Sequence, residues 1–168
     1  VKVTSVTATE KHASDVVSVT TKEQPPFPMT IETAQQWADF VNGEIIPLAT
    51  ATDVVTFAAD LDFTGIKYET TAEFKGILDG NGKTIKNLAA TTPLLKKVNQ
   101  VKDLTIDASC SFTTSTAANF ASLAEWIAPN GTVTNVKNYA AVTATYDNLD
   151  DPWVVGGLVA FAFGKIEG

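Results

Sequence analysis

The stretch FKGILDGNGKTIKNL, residues 74–88, decides how the fold is interpreted, because three glycines precede a β-branched run in it. It contains Gly82-Lys83-Thr84, the residues that close a phosphate-binding loop, but such a loop needs a glycine where Ile77 stands. The residues after Lys83 also favour a strand over the helix that a phosphate site requires. Nucleotide binding is therefore not predicted. We interpret five residues as tight-turn residues instead: Gly76, Asp79, Gly80, Asn81 and Gly82.

Metal ligation finds little support in the sequence. A calcium loop beginning at Asp79 fails, because Lys83 falls where a third oxygen ligand is needed and Ala90 holds the twelfth position. The chain has a single cysteine, Cys110, and a single histidine, His12, so it lacks the ligand set of a zinc site and cannot form an internal disulfide. No cofactor is predicted, and calcium is left open at one acidic segment described below.

A four-residue pattern recurs along the chain: a β-branched residue, a polar residue, Asn or Asp, and an aliphatic residue. Its three full copies begin at Ile85, Val101 and Val133, and a fourth that begins at Ile166 is cut short. Repeats separated by excursions of variable length predict a β-solenoid. The incomplete fourth copy predicts that the domain is truncated at its C-terminal end.

The third position of the pattern is expected to form a corner of the solenoid. Asn87, Asp103 and Asn135 occupy it in the three full copies. Asn and Asp tolerate left-handed backbone and bond to local backbone groups, so they suit a bend at which the strand changes direction. Stacked copies would align these side chains as a polar ladder with a structural role.

Composition bounds the class of protein. The chain has 168 residues, of which 45% are hydrophobic, enough for one domain with a sizeable core. Its 12 basic against 19 acidic residues give a net charge of −7, which argues against nucleic acid and against anionic membrane surfaces as partners. No apolar run is long enough to span a bilayer.

The chain divides near its prolines. Residues 1–29 contain two strand-like runs, interpreted as a hairpin or an extended lead-in, followed by the stiff connector QPPFPM. Residues 30–168 form the predicted β domain. The chain begins with Val1 and lacks a signal-peptide pattern, so we expect a trimmed part of an exported protein.

One helix is predicted, at about residues 33–42. Thr33 and Gln36 have the spacing of a capping box, and Asn42-Gly43 supplies a stop. Trp37 and Phe40 share the apolar face. We expect this short helix to cover an exposed end of the core.

The repeats also resemble a known family. FKGILDGNGKTIKNL with its later copies, the helix IETAQQWADFVN and the segment TFAADLDFTG are similar to the GLUG-type repeat region of bacterial surface proteins, many of them from gut Bacteroidetes. The resemblance covers about residues 30–168. It implies a right-handed parallel β-helix on a secreted or surface-anchored protein, often described as an adhesin. Leu94-Leu95 and Ala160-Phe161 stand where the family often has glycine, which leaves the number of coils open.

Asp60 and Asp62 are the candidates for catalytic carboxylates. They lie two residues apart on a strand-like run and would share a face, and β-helix enzymes that cleave polysaccharides commonly use Asp or Glu as acid and base. Glu69 and Glu73 are a weaker pair, because they would share a face only if their loop were ordered. The alternative is that the two aspartates cap a turn before Thr64. A lyase that cleaves an acidic polysaccharide would also need Arg or Lys to neutralise its substrate, and the sequence places neither beside these acids. A non-catalytic role is therefore favoured, and catalysis is left as an alternative.

The segment YDNLDDPWVVGG has the strongest features of a ligand site. Asp147, Asp150 and Asp151 concentrate oxygen ligands suited to calcium, and Tyr146 and Trp153 could stack on a sugar. The alternative is a solvated acidic loop with Trp153 packed on the core. Trp126 is predicted to be a core residue.

Together these features predict an all-β protein, a right-handed parallel β-helix with one capping α-helix. The predicted function is a non-catalytic secreted or cell-surface adhesion module. A carbohydrate-binding or polysaccharide-cleaving β-helix is the first alternative and a structural spacer the second. The predicted partners are a host or bacterial surface protein or a glycan.

Overall fold

A computed structural model describes residues 27–116, 119–145 and 154–168. These ranges contain one α-helix, α1 (Ala34–Asn42), one 3-10 helix, η1 (Ile46–Leu48), and strands that fill most of the rest. The two strand-like runs predicted before residue 27 lie outside them. The strands are β1 (Met29–Ile31), β2 (Val54–Phe57), β3 (Leu61–Asp62), β4 (Glu73–Lys86), β5 (Ala89–Ala90), β6 (Leu95–Ile106), β7 (Ser111–Thr114), β8 (Asn119–Phe120), β9 (Ala124–Asn138), β10 (Ala141–Ala144), β11 (Val154–Val155), β12 (Val159–Ala162) and β13 (Lys165–Glu167).

The strands of the described ranges form parallel sheets. The largest has eight strands in the order β1-β2-β4-β6-β9-β12, with β3 paired to β4 and β13 paired to β9. A three-stranded sheet runs β10-β7-β5, and β11 pairs with β8 in a third sheet. The long strands β4, β6 and β9, of 14, 12 and 15 residues, make up the centre of the large sheet.

The predicted right-handed parallel β-helix is wrong as a description of these sheets. A regular solenoid distributes its strands over equivalent faces, whereas eight strands lie in one sheet here and the others form separate sheets of three and two. The segments that connect the long strands differ in length and contribute only short strands, of four residues or two. The sequence repeat therefore specifies parallel neighbours within one sheet and not a regular coil.

A column of aliphatic side chains fixes the register of the large sheet. Val55 pairs with Leu78, Leu78 with Val101, and Val101 with Val133. All four side chains are at most 1% exposed. Burying a Val or Leu side chain contributes about 1.5–3 kcal/mol, so this column is a main source of stability. Ile166, which pairs with Val133, ends the column and is 54% exposed.

The polar corner forms, but with Asn81 in the place predicted for Asn87. Asp103 lies opposite Asn135, and Asn135 Nδ2 donates a hydrogen bond of 2.7 Å to Asp103 Oδ1. Between Asp79 and Lys83, β4 has three residues where β6 has the single Asp103. This bulge places Asn81 beside Asp103.

The corner residues share a left-handed backbone. Asn81, Asp103 and Asn135 have φ of 51°, 53° and 51°. Asn87, at φ 57°, is also left-handed but lies past the end of β4. Its side chain donates to Asp62 Oδ1 at 3.0 Å, so it stabilises a separate bend.

The glycines of the opening stretch have two different roles. Gly82 has φ +70° and so supplies the positive φ expected of a turn residue, whereas Gly76 and Gly80 do not have positive φ. A Cβ atom on Gly80 would lie 2.5 Å from the carbonyl oxygen of Asp103, and one on Gly76 would lie 2.4 Å from that of Asp53. Both glycines therefore permit close approach of neighbouring backbone. The prediction of a tight turn is wrong at Gly76, which lies inside β4. Gly80 lies in a turn at the bulge, where the backbone N–H of Asn81 donates to Asp79 Oδ1 at 2.8 Å.

The predicted capping box at the start of α1 is confirmed. The backbone N–H of Gln36 donates to Thr33 Oγ1, and the backbone N–H of Thr33 donates to Gln36 Oε1, both at 3.1 Å. The helix is anchored by Trp37, which is fully buried, packs edge-on against Phe57 and donates from Nε1 to the Tyr68 hydroxyl at 3.3 Å. The helix therefore packs on the core beside the first strands of the large sheet.

Replacing Asn135 tests the corner. Asn135→Ala removes the bond to Asp103 and forces an ordinary side chain into left-handed backbone, so the free energy of unfolding should fall by about 1–2 kcal/mol. Asn135→Gly loses the same bond without the backbone strain and should recover part of that loss. Urea unfolding of both variants measures the difference. Equal stability of the alanine variant and the parent chain would contradict this role.

Candidate functional site

The outward face of the large sheet carries an aromatic cluster. Trp126 in β9 pairs with Lys97 of β6 on one side and with Phe161 of β12 on the other. It is half-buried, while the neighbouring Ile127 takes the core position with no exposed surface. The prediction that Trp126 belongs to the core is therefore wrong, because an apolar residue beside a core position can point outward.

The three rings of the cluster are stacked. The ring of Trp126 lies 4.7 Å from that of Phe161 at an interplanar angle of 17°, and 5.6 Å from that of Phe163 at 5°. Phe163 follows β12, and its backbone N–H bonds to the Ile127 carbonyl, so both phenylalanines lie on the same side of Trp126. Phe163 is 61% exposed, which leaves ring surface available to a partner.

A groove runs beside this cluster, and we name it the aromatic groove. It has a volume of about 290 Å³. Its residues come from β4, β6 and β9 and from the turn after β12. They are Glu73, Lys96, Lys97, Trp126, Ile127, Pro129 and Phe163.

A second depression of about 220 Å³ adjoins the aromatic groove. It shares Glu73 and Lys97 with the groove and adds Lys75 and Asn99 among its lining residues. The charged residues that line the two depressions are thus three lysines and one acid. In the described part of the chain, ion pairs join Lys86 to Asp60 and Lys102 to Asp79, and none engages the lysines of the groove.

Asp60, the first of the predicted carboxylates, is held by two partners. Lys86 Nζ contacts its Oδ2 at 2.7 Å, and the backbone N–H of Thr84 donates to its Oδ1 at 2.9 Å. The expectation that no basic residue lies beside this acid is therefore wrong. The hydrogen bond from Lys86, with a smaller effect from Thr84, lowers the pKa of Asp60.

Asp62 caps the turn before Thr64, which was the alternative to a catalytic role. Its Oδ1 accepts from the backbone N–H of Thr64 at 2.9 Å, from Thr64 Oγ1 at 2.7 Å and from Asn87 Nδ2 at 3.0 Å. These bonds, that of Asn87 foremost, lower the pKa of Asp62 to about 2. Both aspartates are thus ionised near neutral pH, and neither is suited to donate a proton as a general acid.

The other predicted ligand residues lie outside the described ranges: Tyr146, Asp147, Asp150, Asp151 and Trp153. Calcium at that segment stays a prediction. Where the chain is described, no three acidic, histidine or cysteine side chains group as a metal site would require. Across the same ranges, no helix is both long enough and apolar enough to cross a membrane.

Sequence reasoning missed most of the aromatic groove. It named Glu73 only as half of a weak acid pair, and it did not select Lys96, Lys97 or Phe163. The alternation VAFAFG contained a signal, because period 2 places Phe161 and Phe163 on one face of a strand. Whether the lysines line the groove depends on the strand register, which the sequence pattern does not show.

The hydrogen bond between Asn87 and Asp62 can be tested by titration. Because the folded-state pKa of Asp62 lies below its ordinary value of 3.8, its stabilising effect is present above about pH 4 and is lost as pH falls towards 2. Asn87→Ala should raise the pKa of Asp62, measured by NMR of the carboxyl carbon. Asp60, whose lowered pKa depends on Lys86, is the internal control. An unchanged Asp62 pKa in the variant would contradict the assignment.

No family model, curated protein or solved structure matches this chain. The functional argument therefore depends on the geometry of the described residues.

Proposed function

We propose that the chain is a non-catalytic adhesion module of a secreted or cell-surface protein, which holds its partner in the aromatic groove. The observation that carries this proposal is the stacked cluster of Trp126, Phe161 and Phe163 on the outward face of the sheet. Phe163 stacks on Trp126, yet 61% of its surface remains exposed and offers a flat apolar surface to a partner. A structural spacer has no need of such a surface.

The carboxylates support binding over catalysis. Asp60 and Asp62 are occupied by hydrogen bonds to Lys86, Thr84, Thr64 and Asn87 that hold the ends of β3 and β4 together. A glycosidase needs one carboxyl group that remains protonated, and both of these have lowered pKa values. These side chains act as structural groups.

Among the candidate partners, a glycan fits the dimensions best. The aromatic groove has a volume of about 290 Å³, just below the roughly 300 Å³ at which small-ligand sites start. A stable protein partner would instead need a broad interface of at least about 1,200 Å². The apolar face of a sugar ring packs well on aromatic rings, and the groove supplies Glu73 and Lys97 for the sugar hydroxyl groups. The secreted or cell-surface location is the part of the proposal that comes from the sequence pattern and not from the groove.

Binding to immobilised glycans tests this proposal. The parent chain should bind a subset of an array of neutral and acidic oligosaccharides. Phe163→Ala should weaken that binding about twofold to tenfold, the equivalent of one aromatic contact worth about 0.5–1.5 kcal/mol. Tyr139→Ala is the matched control, since Tyr139 is 63% exposed and does not line the groove. Absence of binding to every glycan, or equal binding by the Phe163 variant, would overturn the proposal.

A further inference from the structure

We infer that the aromatic groove prefers saccharides that carry a negative charge, as a carboxylate or a sulfate, over neutral ones. This inference rests on the proposed function and names the class of ligand. It starts from a local charge that is opposite to that of the whole chain. The chain has a net charge of −7, whereas the groove is lined by two lysines, Lys96 and Lys97, and one acid, Glu73.

The lysines are available to a ligand. Within residues 27–116, 119–145 and 154–168, neither Lys96 nor Lys97 forms an ion pair with an acid. Lys75 adds a third positive charge, because it lines the adjoining depression together with Glu73 and Lys97. A cluster of lysines raises the local concentration of anions, and without bound anions the repulsion between the lysines destabilises the fold.

The register of the sheet places charge beside the aromatic rings. Glu73, Lys97 and Trp126 pair across β4, β6 and β9, so they form one row on the outward face. Neighbouring strands lie about 4.8 Å apart, so the Lys97 ammonium can reach a substituent on a sugar ring that packs against Trp126 and Phe163. One ligand can therefore use the rings and the lysines together.

The basic side chains of the groove limit how well it can distinguish one anionic group from another. All 12 basic residues of the chain are lysines, and a lysine ammonium acts as a point charge without the fork geometry of arginine. We expect the groove to accept carboxylate and sulfate alike. Glu73 opposes both, because it faces the same ligand with a negative charge.

Three probes separate the parts of this inference: an oligogalacturonate, a sulfated oligosaccharide and a neutral oligosaccharide of equal length. At low ionic strength the two acidic sugars should bind about fivefold to tenfold more tightly than the neutral one, and added salt should reduce that preference. Calorimetry or surface plasmon resonance on the whole 168-residue chain measures the dissociation constants.

Charge variants locate the effect. The double variant Lys96→Gln/Lys97→Gln should abolish the preference, while Glu73→Gln should strengthen acidic-sugar binding about twofold to fivefold. Lys137→Gln is the matched control, because Lys137 is an exposed lysine on β9 that does not line the groove. Urea unfolding of each variant verifies that the fold is retained.

The possible outcomes test the charge preference, the saccharide class and the equivalence of carboxylate and sulfate separately. Equal affinity for neutral and acidic sugars overturns the inference and leaves the proposed adhesion function standing. Binding of a polyglutamate peptide as tightly as the oligogalacturonate overturns the saccharide part, since charge alone would then explain the affinity. Absence of binding to all three sugars overturns the inference alone, because the proposed function is decided by the glycan array and the Phe163 variant. A preference limited to one anion type overturns the expectation that carboxylate and sulfate are equivalent.

Discussion

The parallel register of β4, β6 and β9 is the constraint on which the rest of the structure depends. It brings Leu78, Val101 and Val133 into one buried column and Phe74, Val98 and Ile127 into another. In a sheet with one buried face, a slip by one residue would turn both columns towards water and expose most of the core. The hydrophobic effect therefore fixes the register, and the backbone hydrogen bonds follow from it.

The same register produces the polar corner and the aromatic groove. The bulge in β4 sets Asn81 beside Asp103, which in turn faces Asn135, so three left-handed residues bend three neighbouring strands at one level. On the outward face, the row that contains Lys97 and Trp126 depends on the same pairing. The polar corner and the proposed binding face thus follow from one alignment of the strands.

Some of this organisation could be predicted from the sequence. The capping box of Thr33, the left-handed asparagines and the equivalence of Val101 with Val133 all leave local signals. The equivalence of Ile85 with Val101 was wrong, because Gly80 to Gly82 insert two extra residues that a pattern of four residues cannot reveal.

The aromatic groove was harder to predict for a physical reason. Its side chains come from strands that are distant in sequence, and only the three-dimensional register brings Glu73, Lys97 and Trp126 together. The β-helix was predicted from the repeats and from a family resemblance. The segments between the repeats determine how many strands the two smaller sheets contain. Such segments carry little periodic signal.

Backbone NOEs across the central strands test the register most directly. The structure predicts contacts that join Leu78 to Val101 and Ile85 to Ile106. A pairing that followed the sequence repeat would instead join Ile85 to Val101. NOEs of the first kind would support the bulge, the corner at Asn81 and the alignment of the groove. NOEs between Ile85 and Val101 would contradict all three.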